Sequence, residues 1–160
     1  MASLQPFRAS AECFKLVAVL GLLLAGFLFV GYRLVPVPDV QIMTIEFNGH
    51  ALQLEVARSH QEQVKGLMGR AELPDNQGMV FPVVPPRVVE IWMKDVAFPL
   101  DIIYLREGMV LGLESDATPC SSSSVCPIYS SSQVVDTVIE LPGGTASKLG
   151  IKIDSQMLEP

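Results

Sequence analysis

Apolar and polar residues alternate along residues 41–47 and again along residues 51–56, on either side of Asn48-Gly49. A period of two is typical of strands that bury one face, and Asn-Gly between two such runs is the strongest short signal for a hairpin turn. These residues are therefore predicted to form a β-hairpin.

A short helix and further strands follow the hairpin. Ser59 and Glu62 have the spacing of a capping box, which predicts a helix over residues 61–68 that ends near Gly69. A helical turn is predicted over residues 146–149 and a closing strand over residues 156–158. Seven strands besides the closing one, with one or two short helices, predict a mainly β domain, either a small β-barrel or a sandwich-like fold. The five strands after the hairpin are predicted over residues 78–84, 88–94, 100–106, 109–114 and 134–141.

A long apolar run lies near the amino terminus. Residues 16–32 are 17 residues without a charge, and extension past Arg33 to Val35 gives 20. At ~1.5 Å per residue, 20 helical residues span the roughly 30 Å hydrocarbon core of a membrane. A cleaved signal peptide would have a shorter run and an A-x-A-like site, which does not follow here. We therefore predict one transmembrane helix over residues 16–35.

Flanking residues predict how this helix is oriented. Arg8, Lys15 and the terminal amine precede it, whereas only Arg33 follows it closely, which places residues 1–15 in the cytoplasm. The prolines of residues 36–40 make a stiff, extended spacer. Residues 41–160 are then an extracytoplasmic domain held at the cell membrane, within the cell envelope.

The charge of the chain argues against nucleic acid as a partner. The net charge is −6, and residues 39–160 carry 16 acidic and 8 basic side chains. A domain this acidic repels a phosphate backbone, and the sequence has no basic stripe with interleaved aromatic residues.

Residues 116–133 are predicted to be one long, serine-rich loop, and loops of this length are often functional. The loop contains Cys120 and Cys126. Outside the reducing cytoplasm we expect these two cysteines to form a disulfide, the alternative being two free thiols. A zinc site would need two further ligands that no nearby Cys or His supplies.

Four motifs occur in order along the middle of the chain: GLMGR at 66–70, GMVF at 78–81, WMKD at 92–95 and PLDI at 99–102. Together with LPGGTA at 141–146, they resemble the bacterial and archaeal family called domain of unknown function 192. That family has asparagine where this chain has Asp95. The resemblance covers residues 41–158 and implies a compact β-rich fold, with no established activity.

The motifs suggest a ligand site made of Arg70, Trp92, Lys94 and Asp101. Trp92 and Lys94 share one face of a predicted strand, and an indole flanked by charges can stack on a planar or sugar-like ligand. The alternative is structural: Arg70 pairs with Asp101 or Asp95 and fastens the helix to the sheet.

Two other chemistries have weaker signals. Met68, Met79 and Met93 are soft ligands suited to Cu(I), but methionine beside apolar neighbours is more often a core residue. His50 and His60 belong to no nucleophile motif, so no catalytic residue and no cofactor is predicted.

Two functions follow from these features. The first is a membrane-tethered module that binds a small ligand or an envelope component. The second is an accessory or scaffold protein that acts through a membrane or envelope protein, using the anchor and the loop over residues 116–133.

Overall fold

The computed structural model describes residues 40–121 and 125–159. The predicted hairpin is confirmed: β1 (Ile42–Phe47) pairs antiparallel with β2 (His50–Val56) through a two-residue turn. Asn48 and Gly49 in that turn have φ angles of 49° and 79°. Positive φ at both positions is what a type I′ turn needs, and Asn and Gly adopt it at the lowest cost.

Six strands form the main sheet, in the order β1-β2-β3-β8-β5-β6. All neighbours are antiparallel except β2 and β3. Since β1 and β6 do not pair, the sheet is open, and the prediction of a small β-barrel is wrong. Alternation along a strand shows that one face is buried, but it does not show whether the sheet closes. The four strands not yet given bounds are β3 (Gln77–Arg87), β5 (Leu100–Arg106), β6 (Met109–Ala117) and β8 (Val135–Pro142).

A second, two-stranded sheet is formed by β4 (Glu90–Trp92) and β7 (Ile128–Ser130), which are antiparallel. The strand β7 was missed because three residues in a serine-rich region give no readable period. Residues 116–133 are therefore not one loop, since β6 runs to Ala117 and β7 lies within the predicted range. Cys120 and Cys126 form the predicted disulfide, with their Cα atoms 5.6 Å apart.

Two short helices complete the described chain, α1 (His60–Lys65) and α2 (Thr145–Leu149). The capping box is present: the Glu62 backbone N–H donates to Ser59 Oγ, and the Ser59 backbone N–H donates to the Glu62 carboxylate. The helix α1 ends at Gly66, earlier than predicted, because Gly66 leaves the helical region with φ 45°. Residues 156–158 form no strand and contribute a single bridge between Met109 and Gln156.

The predicted membrane helix over residues 16–35, the cytoplasmic segment over 1–15 and most of the spacer over 36–40 lie outside the described residues. Within residues 40–121 and 125–159, neither helix has the length and apolar character needed to cross a bilayer.

Both faces of the main sheet are covered. On one face Met79, Phe81 and Ile102 belong to a core that also contains residues of the α1 region and the small sheet. On the other face Val80 and Ile139 pack in a second core with α2 and the chain after it. This double burial explains why β3, β5 and β8 are nearly continuous apolar runs, as strands covered on two sides must be.

Asp101 holds the second face together. Its side chain is fully buried on β5, and its carboxylate accepts hydrogen bonds from the backbone N–H groups of Asp116 (3.0 Å), Gly144 (3.1 Å) and Ala146 (2.7 Å). The last two N–H groups belong to the start of α2. One side chain therefore connects β5, the end of β6 and α2.

Replacing Asp101 with alanine should strongly destabilise the domain. Three backbone N–H groups would lose their acceptor: the bond from Ala146 is buried and the other two are part-buried. A hydrogen bond to a carboxylate contributes roughly 1.5–3 kcal/mol. We expect the free energy of unfolding of Asp101→Ala to fall by at least about 3 kcal/mol, measured by urea denaturation of the full chain in mild detergent. As a control, Asp75→Ala removes an exposed ion pair with Lys148 and should change the free energy of unfolding little. Equal losses in the two variants would contradict this role for Asp101.

Candidate functional site

A cleft of about 310 Å³ opens on the first face of the main sheet. One wall is formed by α1 and the residues after it, 63–68, and the facing wall by all three residues of β4. We call it the α1–β4 cleft. Its volume lies at the lower end of the range for small-ligand sites. The floor is made of side chains from β3, β5 and β8: Phe81, Val83, Leu100, Val138 and Glu140.

The helix wall is fixed by Gln63. Its side-chain amide donates to the carbonyl oxygens of Pro82 (2.9 Å) and Ala57 (3.2 Å), which ties α1 to β3. A Cβ atom at Gly66 would lie 3.6 Å from the Phe81 ring, so the helix ends in close contact with the floor. The wall is therefore preformed, as is usual for a binding site.

Glu140 is the only carboxylate on the floor. It lies on β8 between Met79 of β3 and Ile102 of β5, and only 6% of the residue is exposed. No residue in 40–121 or 125–159 donates a hydrogen bond to its carboxyl group. Burial without a partner disfavours the charged form and raises the pKa of Glu140 to about 8.

Tyr104 is a second unmatched polar group on this face. Its hydroxyl is buried and has no hydrogen-bond partner in the described part of the chain. Burial, with smaller contributions from Glu114 and Glu140, raises the pKa of the phenol. Buried polar groups are nearly always paired, so a carboxyl and a phenol left without partners on one face need an explanation.

Trp92 and Lys94 lie close together, although β4 ends at Trp92 and Lys94 lies beyond the strand. The Lys94 Nζ is 5.3 Å from the centre of the Trp92 ring, within range of a cation–π contact. Trp92 is 50% exposed and lines the cleft. Glu140 was missed because no motif contains it. Its one signal in the sequence is its position between Ile139 and Leu141, which are apolar.

The structure separates Arg70 and Asp101 from that pair. Arg70 donates two hydrogen bonds of 2.6 Å to the carboxylate of Glu55 on β2, which lowers the pKa of Glu55. Arg70 therefore pairs with Glu55 rather than with Asp101 or Asp95. Asp101 lies on the opposite face of the sheet, next to α2, and Asp95 instead adopts a left-handed conformation with φ 55°.

The three methionines are core residues. Met79 and Met93 are buried and Met68 is partly buried, all in the apolar core of the first face. Among the described residues there is no cluster of three or more His, Cys, Asp or Glu side chains placed to hold a metal ion. The methionine hypothesis therefore has no support from neighbouring ligands.

Comparison with known proteins shows the family of this chain. The model of the DUF192 family, described as an uncharacterized ACR, matches residues 43–158. The chain belongs to the DUF192 family. A search of curated proteins found no match, so membership of DUF192 defines the fold and leaves the activity to be argued from the site.

Two solved structures are similar to this chain. One is a protein of unknown function from Novosphingobium aromaticivorans, 34% identical, with a TM-score of 0.67, covering 77% of this chain and 89% of its own. The other, from Sinorhizobium meliloti, carries the description "putative transcription regulator" and is 29% identical, with a TM-score of 0.65. That match covers 73% of this chain and 90% of the other.

The buried carboxyl of Glu140 should make stability depend on pH. The unfolded chain releases this proton near pH 4.5, whereas the folded chain keeps it to about pH 8. Between these values the folded state binds more protons, so its contribution to stability is full below pH 4.5 and is lost as pH rises toward 8.

We expect this slope to disappear in Glu140→Gln, measured by urea denaturation of the full chain at several pH values and compared with wild type. Glu114→Gln is a matched control, because Glu114 lies in the same row of the sheet beyond Ile102 but outside the cleft. A wild-type slope that survives in Glu140→Gln would show that other groups cause it.

Proposed function

We propose that this protein is a non-catalytic binding module whose ligand enters the α1–β4 cleft. The observation that carries the proposal is Glu140, a buried carboxyl on the cleft floor with no hydrogen-bond partner among the described residues. A group of this kind costs stability in the free protein. A ligand that hydrogen-bonds to it recovers that cost, which is a common reason for keeping an unmatched polar group in a site.

The lining of the cleft defines the chemistry of the ligand. Phe81, Val83, Leu100 and Val138 surround Glu140 with apolar surface, which suits an apolar ligand body. A cationic head at Glu140 favours the ionised carboxylate and forms a charge-assisted hydrogen bond. We therefore expect an organic cation with an apolar stem, and Trp92 at the wall adds aromatic surface for that stem.

Ligand binding can be measured by the fluorescence of Trp92, because it is the only tryptophan in the chain and it lines the cleft. The probes are benzamidinium, neutral benzyl alcohol and anionic benzoate, titrated into the full chain in mild detergent. We expect benzamidinium to bind most tightly and benzoate most weakly. In Glu140→Gln the affinity for benzamidinium should fall about tenfold or more, because a hydrogen bond to a charged group is lost.

Glu114→Gln should bind benzamidinium like wild type, since Glu114 does not line the cleft. Equal affinities for the three probes, or unchanged benzamidinium binding by Glu140→Gln, would contradict the proposal.

We also propose that the module is tethered to the outer side of the cytoplasmic membrane through residues 16–35. The support is the uncharged run over residues 16–32, together with a disulfide between Cys120 and Cys126, which suits an oxidising compartment. A tethered module of this kind would sample ligands at the membrane surface.

The full chain should fractionate with membranes and resist extraction at alkaline pH, and a variant lacking residues 16–35 should become soluble. Protease added outside cells stripped of their wall should digest the domain. Recovery of the full chain in the soluble fraction, or protection of the domain from external protease, would contradict the tether or its orientation.

A further inference from the structure

One edge of the two-stranded sheet is open. The Ser131 N–H donates to the Val89 carbonyl (3.0 Å) and the Val89 N–H donates to Ser131 Oγ (3.1 Å), so the backbone groups of Val89 point toward residue 131. Hydrogen-bonded and non-bonded pairs alternate along an antiparallel ladder, so the next bonded pair joins Ile91 to Tyr129. The backbone N–H and C=O groups of Glu90 and Trp92 then point away from β7.

These backbone groups have no partner within the described chain. No residue in 40–121 or 125–159 is hydrogen-bonded to the outward N–H or C=O groups of Glu90 and Trp92. An edge of this kind is a template for another strand.

The open edge faces the cleft. Side chains of consecutive strand residues point to opposite faces, so a space beside one face contacts the side chains of alternate residues only. The α1–β4 cleft is lined by three consecutive residues, Glu90, Ile91 and Trp92, so its wall is the edge of β4 rather than a face. The opposite wall is α1. The apolar floor, with Glu140, lies between the two walls.

We propose that the occupant of the α1–β4 cleft is an extended peptide, which joins β4 as a third strand and places a Lys or Arg side chain against Glu140. This inference rests on the proposed function, since it names the class of ligand for the same site. Only a polypeptide supplies N–H and C=O groups at the two-residue repeat of a strand edge, roughly 6.8 Å.

Charge complementarity selects the side chain. A Lys or Arg residue has an aliphatic stem that can lie along Phe81, Val83 and Leu100, with its charged head at Glu140. Backbone bonding would supply affinity and the Glu140 contact would supply selectivity, which is the usual division in strand addition.

The probe is an acetylated and amidated heptapeptide, Thr-Val-Thr-Lys-Thr-Val-Thr, titrated into the full chain in mild detergent with Trp92 fluorescence as the readout. We expect saturable binding that falls about tenfold when norleucine replaces the lysine. Two further peptides carry backbone N-methyl groups on alternate residues, one at odd and one at even positions. Strand addition predicts that one of these loses binding and the other keeps it, because only alternate N–H groups face β4.

A protein variant tests the same edge. Glu90→Pro removes an N–H that points away from β7, so the β4–β7 ladder keeps its bonds, as proline does on natural edge strands. It should weaken peptide binding more than Glu90→Ala, which removes the same side chain but keeps the N–H. If Glu90→Pro fails to fold, the two N-methyl peptides still decide the question on the wild-type chain.

The outcomes separate the two proposals. Equal binding by both N-methyl peptides, or no peptide binding by a chain that binds benzamidinium, overturns strand addition and leaves the cationic binding module standing. Failure of both the peptide and benzamidinium overturns both.

Discussion

The burial of the main sheet on both faces is the constraint on which the rest of this structure depends. The strand β8 pairs with β3 and β5 and has apolar cores above and below it, so the carboxyl of Glu140 on this strand is held away from water. Every polar side chain on the central strands must therefore find a partner within the protein or remain unmatched. For this reason Glu140, a buried carboxyl without a partner among the described residues, is the main feature of the candidate site.

Asp101 and Glu140 show the two possible solutions. Both are buried carboxyls on neighbouring central strands, but they point to opposite faces. Asp101 accepts three backbone hydrogen bonds at the start of α2 and so stabilises the fold. Glu140 receives none from the described chain, and its pKa is raised accordingly. The burial of Asp101 is accounted for by the backbone groups that it joins, whereas the burial of Glu140 is the basis of the proposed binding site.

The local elements could be predicted from the sequence where short-range chemistry decides them. The turn at Asn48-Gly49 and the capping box of Ser59 and Glu62 are of this kind, and both were found. Long-range pairing was not readable: nothing near Arg70 indicates that its partner is Glu55. The motif residues drew attention to Asp101, which is structural. Glu140 was hidden because a carboxylate in a strand is ordinarily assigned to solvent, and only its apolar neighbours on both sides argue otherwise.

The proposed peptide site would combine two kinds of recognition that differ in selectivity. The outward N–H and C=O groups of β4 would bond any peptide backbone, so alone they give affinity without discrimination. Glu140 would discriminate between cationic and acidic side chains. A cationic side chain gains a charge-assisted bond, while an acidic one would bring a second carboxyl beside the first in an apolar site, where like charges are costly. Because rejection and attraction both depend on one carboxyl, the selectivity of the cleft should depend on Glu140 and its affinity on the edge of β4.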